Sequence, residues 1–244
     1  MTAVASSWSS LSRALTIAIV FALGIAIEKT GLLEAILKYW PEIVYQSRQH
    51  IKLVLISGGL AILVGVPFGV LLSRHAMRRA AEPIMQVLNV STTIPTLAIL
   101  ALAMTVMGIG EKPAIFALWL HALLPIVRNS YEGVRSLPPH MIEAARGMGM
   151  QPIQVLLRVE MPNALPVILA GIRTALVINV GTVPLAFLIG GGGLGELIFS
   201  GIDLFEPAMM LAGAIPTGIL AVILDFLLGR LTALVVPRGV MAMP

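Results

Sequence analysis

Few residues in this sequence have a type and spacing that would support catalysis. The four histidines are scattered, at positions 50, 75, 121 and 140, and none belongs to an H-E-x-x-H pair or has an acidic residue at metal-ligand spacing. Because the chain has no cysteine, disulfides, thiolate metal sites and cysteine nucleophiles are excluded. We therefore predict no catalytic residue, no bound metal and no cofactor.

One glycine motif imitates a nucleotide site. Gly190-x-Gly192-x-x-Gly195 satisfies the dinucleotide-binding fingerprint literally, but such a site needs a strand before it, a helix after it and an acidic residue about 20 positions on. These conditions fail, and no Gly-Lys pair is present to form a P-loop. Because glycine allows two backbones to touch, the motif instead predicts a gate or a close helix approach at Gly192, Gly193 and Gly195.

A different pattern of spacing stands out in residues 128–162, which interrupt the apolar sequence for 35 residues. An acidic residue and two alanines are followed by three residues and a glycine, then by nine residues and an apolar-x-apolar-proline group. Its members are Glu143, Ala144, Ala145, Gly149, Val159, Met161 and Pro162.

Local rules predict a helix-turn-helix for this segment. The prolines at 138 and 139 end the preceding helix, so residues 141–146 begin a new one with Glu143 in its first turn, where the helix dipole stabilises a carboxylate. Gly147 and Gly149 supply the turn. Residues 151–159 form a second short helix, which Pro162 ends.

The composition places the elements around this loop in a membrane. Apolar residues make up 58% of the chain, only 11% are charged, and the mean hydropathy is +0.97, more than one water-soluble core could hide. A span needs about 20 mostly apolar residues. We predict an all-α membrane protein of about six transmembrane helices. The candidate spans are residues 8–27, 53–73, 83–110, 113–127, 174–195 and 207–224.

Prolines at 67, 95, 125, 184 and 216 favour broken helices around a path.

The basic residues indicate the orientation, since Lys and Arg in short loops stay in the cytoplasm. With residues 128–162 inside, eleven of the 16 Lys and Arg are cytoplasmic and both termini are inside. All four lysines fall outside, which this rule does not explain. The net charge of +4 follows from the inner-loop bias, and no basic run with interleaved aromatics indicates a nucleic-acid partner.

Three regions follow. Residues 1–50 hold a first transmembrane helix, for which a cleaved signal peptide is the competing interpretation, and a short amphipathic helix over residues 31–45 on the outer face. Residues 51–230 form the core around the loop 128–162, and residues 231–244 form a cytoplasmic tail.

The spacing of the loop motif resembles the EAA loop of the membrane subunits of bacterial ATP-binding-cassette importers. The resemblance implies a type I permease fold in the bacterial inner membrane, with no enzymatic activity of its own. It also implies cytoplasmic ATPase subunits as partners, a second permease subunit that is the same or a sibling, and an extracytoplasmic substrate-binding protein, all assembled in the lipid bilayer. Glu143, Ala144, Ala145, Gly147, Gly149 and Pro162 would then couple the permease to the ATPase.

Three further segments resemble permeases for osmoprotectants, the importers of glycine betaine, choline, carnitine and related quaternary amines. These segments are Thr93-Ile94-Pro95-Thr96-Leu97-Ala98, Gly171-Ile172-Arg173-Thr174 and Gly192-Gly193-Leu194-Gly195-Glu196-Leu197-Ile198. A methionine or amino-acid importer is the alternative, since methionine-type permeases share the glycine-rich segment. An ion-coupled secondary carrier, an intramembrane hydrolase and a non-transporting scaffold are rivals from other classes, and the first two would need buried acids, repeats or catalytic groups that are not visible.

Polar residues within the apolar spans have two interpretations: they line a path or form hydrogen bonds between helices. The candidate path residues are Thr92, Thr93, Pro95, Asn179 and Thr182. Arg173 is expected to extend to the membrane surface or contact the loop, and Asp225 to pair with Arg230 or be solvated at the interface.

Overall fold

The computed structural model describes residues 32–236, apart from the side chains of residues 32, 33, 78, 91 and 92. The predicted first span, residues 8–27, and the end of the predicted tail lie outside this range. Every regular element within residues 32–236 is helical. The α-helices are α1 (Leu32–Lys38), α2 (Trp40–Leu72), α3 (Arg78–Thr93), α4 (Thr96–Met107), α5 (Glu111–Arg135), α6 (Pro139–Gly147), α7 (Pro152–Val155), α8 (Met161–Thr182), α9 (Gly195–Asp203) and α10 (Pro207–Val235).

α2 begins well before the predicted span that starts at residue 53. The predicted helix over residues 31–45 is in fact two elements, because a bend at Tyr39 (φ −101°, ψ 17°) separates α1 from α2. Pro41 fits the first turn of α2, where its missing N–H would have had no helical partner. The amphipathic segment and the membrane span are therefore partly the same helix.

The predicted single span over residues 83–110 is wrong, since it is broken into α3 and α4. Ile94 is extended (φ −77°, ψ 123°) because it precedes Pro95, which disfavours helical geometry in the residue before it. The chain also leaves α8 before Pro184, where a tight helical turn, Val183–Ile189, begins. At Pro67, Pro125 and Pro216 the prediction of broken helices is wrong, because each lies inside a continuous helix.

Helices α2, α5 and α8 form the centre of the bundle. Leu53 of α2, Leu118 of α5 and Val180 of α8 belong to one buried cluster, into which α4 also packs. Small residues set the close approach of α2 to α5: a Cβ at Gly69 would clash with the carbonyl oxygen of Val127. The loop between α5 and α8 thus connects two helices of this central bundle.

Three helical stretches among the described residues are long and apolar enough to cross a membrane: Trp40–Leu72, Pro152–Ile189 and Pro207–Val235. Along α10 the apolar side chains of Val222 and Phe226 are exposed, as expected for a helix that faces lipid or another subunit. The protein is an all-α membrane protein, and the number of six spans stays a prediction.

Candidate functional site

A tight turn at Gly149 joins α6 to α7. Its φ of +81° lies in the left-handed region, and Gly149 N–H donates to Arg146 O (2.9 Å) while Met150 N–H donates to Ala145 O (3.2 Å). A Cβ at position 149 would meet open space, so the backbone angle, rather than crowding, favours glycine here. The predicted turn is confirmed at Gly149, whereas Gly147 is the last residue of α6.

α6 begins at Pro139, two residues earlier than predicted, because proline is well suited to the first helical position. Glu143 therefore lies in the second turn, and the predicted stabilisation of its carboxylate by the helix N-terminus is wrong, since that effect is confined to the first turn. Glu143 and Ala144 are exposed, whereas Ala145 is buried. The motif thus presents two residues outward and packs the third against the protein.

The predicted helix end at Pro162 is also wrong. Residues Leu156–Glu160 form a π-helical turn, and α8 follows directly at Met161, whose N–H bonds to Leu156 O. Pro162 is tolerated because it stands in the first turn of α8, after a widened turn that already departs from α-helical hydrogen bonding. The chain is helical from Pro152 to Ile189, so the loop is continuous with a membrane-length helix.

A cavity of about 850 Å³ lies between the loop and the adjacent ends of α2 and α5. Its wall is rich in charged side chains of both signs, and it includes the motif residue Glu143. The charged residues that line it are Arg74, Arg135, Glu143, Arg146 and Glu160.

One ion pair in this wall joins the end of α2 to the start of α8. Arg74 Nη1 lies 2.6 Å from Glu160 Oε2, and the Glu160 side chain is only 7% exposed. The guanidinium is held from behind as well, because its Nε donates to Val70 O (3.2 Å) and its Nη2 to Ser73 Oγ (3.0 Å). Sequence reasoning missed this pair, although a lone carboxylate between Val159 and Met161 was a signal for it.

The outward side of the loop carries apolar side chains. Met148, Ile153 and Leu157 are all more than half exposed. Ile153 and Leu157 are four residues apart on consecutive helical turns and so share one face. An exposed apolar face on an otherwise polar loop is typical of a protein-docking surface.

The glycine-rich segment lies at the other end of α2 and α8. Positive φ angles at Gly190, Gly192 and Gly193 carry the chain from the turn Val183–Ile189 into α9, so the predicted span 174–195 is not one helix. A Cβ at Gly195 would clash with Pro184 O. The predicted close backbone approach is thereby confirmed at Gly195, while the predicted gate stays a prediction.

Gln46 of α2 holds this glycine-rich segment from the side. Gly193 N–H donates to Gln46 Oε1 (3.1 Å), and Gln46 Nε2 donates to the Glu196 carboxylate. The Gln46 side chain is buried, so both contacts replace hydrogen bonds that water would otherwise supply. Sequence reasoning missed both roles: Gln46 occurs in a segment without a recognisable motif, and Glu196 was noted only as part of the glycine-rich segment.

The candidate path residues are not gathered into one site by the contacts of their side chains. Asn179 is buried and its Nδ2 donates to Ser57 Oγ (2.7 Å), a bond between α8 and α2. The hydroxyls of Thr93 and Thr182 bond to carbonyls of their own helices. Pro95 is exposed at the start of α4, and the side chain of Thr92 lies outside the described residues.

The two intramembrane charges pair with each other, contrary to both sequence expectations. Arg173 of α8 contacts Asp225 of α10 instead of extending alone to the surface. Arg230, the expected partner of Asp225, instead places its guanidinium over the Phe226 ring, 5.0 Å from the centroid. Distance along the sequence therefore misidentified the partner.

Comparison with known proteins agrees with this geometry. Residues 65–239 match the family described as "binding-protein-dependent transport system inner membrane component". The chain is 50% identical over 220 residues to the osmoprotectant import permease protein OsmY of Salmonella typhimurium, covering 90% of this chain and 93% of that protein. It is 42% identical over 198 residues to the choline transport system permease protein OpuBB of Bacillus subtilis, covering 81% and 90%.

A solved structure shares the fold. The methionine ABC transporter MetNI, in an inward-facing conformation, superposes with a TM-score of 0.73 at 24% identity, covering 80% of this chain and 96% of that chain. The family match spans most of the chain, and its relatives align over nearly their full length. This chain therefore belongs to the family of inner membrane components of binding-protein-dependent transport systems, as a multi-pass permease subunit.

Proposed function

We propose that this permease imports quaternary-amine osmoprotectants such as glycine betaine, driven by ATP that a separate subunit hydrolyses. The observation that carries the proposal is the identity of 40–50% over most of the chain to permeases named for osmoprotectants, choline, glycine betaine and carnitine. The alternative, a methionine importer, is supported by likeness of fold at 24% identity, and fold alone does not determine substrate.

The proposed assembly contains cytoplasmic ATPase subunits, a second permease subunit and an extracytoplasmic binding protein. The apolar side chains of Met148, Ile153 and Leu157 offer the ATPase a docking surface, and the sequence has no P-loop of its own. Quaternary ammonium groups are held best by aromatic faces, yet aromatic residues make up only 5% of this chain. Substrate selectivity is therefore assigned to the binding protein.

The loop is proposed to transmit ATP-driven movement to the membrane helices. Glu143 and Ala144 contact the ATPase, Ala145 packs the docking helix against the permease, and Gly149 permits the turn after Gly147. The continuous helix through Pro162 supports this role, since a rigid element transmits displacement along its length.

The proposed orientation places the loop and both termini in the cytoplasm. Two of the lysines that the positive-inside rule left unexplained pair with carboxylates at the opposite end of the bundle: Lys38 with Glu206 at 2.6 Å and Lys52 with Glu111 at 2.7 Å. Paired lysines contribute less net positive charge, so their outer location is consistent with this orientation.

The orientation is tested with cysteines placed singly at Met148 and Lys112. An impermeant thiol reagent applied to intact cells should label the cysteine at position 112 and not the one at position 148.

The substrate path is proposed to run past the candidate residues Thr92, Thr93, Pro95, Asn179 and Thr182. The glycines Gly192, Gly193 and Gly195 are proposed as part of its outer gate. The positive φ angles of Gly192 and Gly193 and the tight packing at Gly195 support a segment whose shape depends on its neighbours.

The proposed function is tested by transport in reconstituted vesicles. The permease is combined with the ATPase and the binding protein encoded beside it, and ATP-dependent uptake of radiolabelled glycine betaine, choline and carnitine is compared with that of methionine. Uptake of the quaternary amines alone is expected. Uptake of methionine alone would establish the alternative, and uptake driven by an ion gradient without ATP would establish a secondary carrier.

A further inference from the structure

We propose that α2 and α8 move as one rigid frame that links the loop at Glu143 to the glycine-rich segment 190–195 at the opposite membrane surface. Arg74, Glu160 and Gln46 are its positioning residues. The inference rests on the proposed function, because a frame of this kind matters only where ATP-driven movement of the loop must reach the outer side.

The inner joint is the ion pair of Arg74 and Glu160. Glu160 belongs to the π-helical turn between the loop and α8, and π turns are frequent at functional positions. The buried carboxylate contacts a guanidinium whose Nε and Nη2 donate to Val70 O and Ser73 Oγ, and these two bonds hold the guanidinium beside the carboxylate. A shift of the loop therefore displaces the end of α2 together with the start of α8.

The outer joint is Gln46. Its side-chain oxygen accepts from Gly193 N–H and its amide nitrogen donates to Glu196, so one buried side chain of α2 fixes both the glycine-rich segment and the first turn of α9. Gln46 and Leu72 are 26 residues apart in one helix, which corresponds to about 39 Å along its axis. The two joints thus lie near opposite membrane surfaces.

Two polar contacts near the outer joint hold α2 directly against α8. Asn179 of α8 bonds to Ser57 of α2 at 2.7 Å, and the ring of His50 lies 3.0 Å from Val180 O. Ser57 and His50 are both fully buried. Hydrogen bonds between helices in lipid stabilise a fixed alignment because no water is available as an alternative partner. The ion pair at the inner end and these contacts near the outer end make a single moving unit of α2 and α8.

The test measures coupling separately from assembly. In vesicles that contain the whole complex, Glu160→Gln, Arg74→Gln and Gln46→Ala should each leave basal ATPase activity and subunit association unchanged. Each should reduce the ATPase activity stimulated by the loaded binding protein about tenfold, within the usual range for energetic coupling between two sites. Glu132→Gln removes a carboxylate from an exposed pair on α5 and should change neither quantity.

A double variant distinguishes a frame from two local effects. Substitutions this far apart normally have additive effects. If both residues act through one frame, however, breaking it a second time should have no further effect. The double variant Glu160→Gln with Gln46→Ala should therefore lose no more of the stimulated ATPase activity than either single variant. Additive losses, or normal stimulation in all three single variants, would overturn the frame.

Two further outcomes are informative. If Glu160→Gln fails to accumulate, Arg74→Lys serves as the second variant. A lysine retains a cation for Glu160 but loses the guanidinium's hydrogen bonds to Val70 O and Ser73 Oγ, so it should show an intermediate loss of stimulation. Normal stimulation in Arg74→Lys together with Arg74→Gln would again overturn the frame. A wild-type complex that shows no stimulation by a loaded binding protein would instead refute the proposed function.

Discussion

Arg173 of α8 and Asp225 of α10 face each other with two parallel contacts, Nε to Oδ1 at 2.5 Å and Nη2 to Oδ2 at 2.6 Å. The planar guanidinium matches the two carboxylate oxygens, which is the strongest arrangement for such a pair. Because each charge neutralises the other, both helices carry an ionisable residue near the membrane boundary without an isolated charge facing lipid. The pair joins the central bundle to α10, along which Val222 and Phe226 are exposed.

We predict that Asp225→Asn lowers the melting temperature of the detergent-solubilised protein. The substitution leaves Arg173 charged without its partner, and an isolated charge is more costly than either the pair or its complete removal. The double variant Arg173→Gln with Asp225→Asn should therefore recover much of the loss. Arg230→Gln is the matched control, since Arg230 contacts the Phe226 ring. Equal melting temperatures for the wild type and Asp225→Asn would show that the pair does not stabilise the fold.

A second prediction compares Gly149→Ala with Gly147→Ala. At position 149 a side chain must adopt a φ of +81°, which costs roughly 1–2 kcal/mol for an L-residue, whereas position 147 is helical and opens onto free space. Gly149→Ala should reduce ATP-driven uptake and the stimulation of ATPase activity by the binding protein, and Gly147→Ala should preserve both. Similar uptake in the two variants would mean that the turn tolerates a side chain.

A third prediction concerns Glu143. Because it lies in the second turn of α6 and is exposed, its effect is expected through a partner rather than through the helix dipole. Glu143→Lys should weaken association with the ATPase subunit roughly tenfold, as reversal of a contact charge does, while the melting temperature of the isolated permease stays unchanged. Glu132→Lys, an equally exposed reversal on α5, should preserve association. Loss of association in both variants would indicate a general charge effect.

The loop was predictable from sequence because its geometry depends on local rules. Gly149 occupies a backbone conformation that glycine adopts readily, and its distance from the alanines is fixed by one short helix. The helix boundaries were less predictable, because Pro139 and Pro162 are compatible both with ending one helix and with beginning the next. Which of these occurs depends on the chain before each proline, including the π turn at Leu156–Glu160.

The ion pairs were not predictable. Arg74 and Glu160 are 86 residues apart in the chain, and Arg173 and Asp225 are 52 apart. Both pairs exist only because the bundle places α2 and α10 beside α8. Sequence reasoning assigned Arg173 to the surface or the loop and Asp225 to Arg230 or solvent, and tertiary packing overrode both assignments. A search for lone charges that interrupt apolar runs would have selected Arg173 and Asp225.

A fourth prediction separates the two interpretations of Asn179. If it holds α2 and α8 together, Asn179→Ala and Ser57→Ala should each lower stability, and a double-mutant cycle should give a coupling energy of about 0.6–1.7 kcal/mol, as for other hydrogen bonds between membrane helices. A residue that only lines the path would change the apparent KM for the loaded binding protein or the uptake rate without such coupling. Stability of the purified protein and uptake should both be measured for each variant.

A fifth prediction is a dependence of stability on pH that originates at Glu206, at the end of the bundle opposite the loop. Glu206 accepts hydrogen bonds from Lys38 Nζ and Tyr39 OH, each at 2.6 Å. These two bonds hold the pKa of Glu206 below its ordinary value of 4.5, and the bond from Lys38 has the larger effect. The Glu206 carboxylate in turn raises the pKa of Lys38. Since the folded pKa of Glu206 is lowered, its contribution to stability is present above pH 4.5 and is lost as the pH falls through the lowered value.

Glu206→Gln should therefore melt at a lower temperature than the wild type at pH 7, and the difference should shrink on acidification below pH 4.5. Because the pKa of Lys38 is raised, the difference should persist through mildly alkaline pH. The partners are solvent-accessible, so the effect is small and should diminish at high salt. Melting curves from pH 3 to pH 9 at two salt concentrations measure it. A difference that is unchanged at pH 3 would show that Glu206 acts through its shape or its contact with Tyr39, and not through its ionised contact with Lys38.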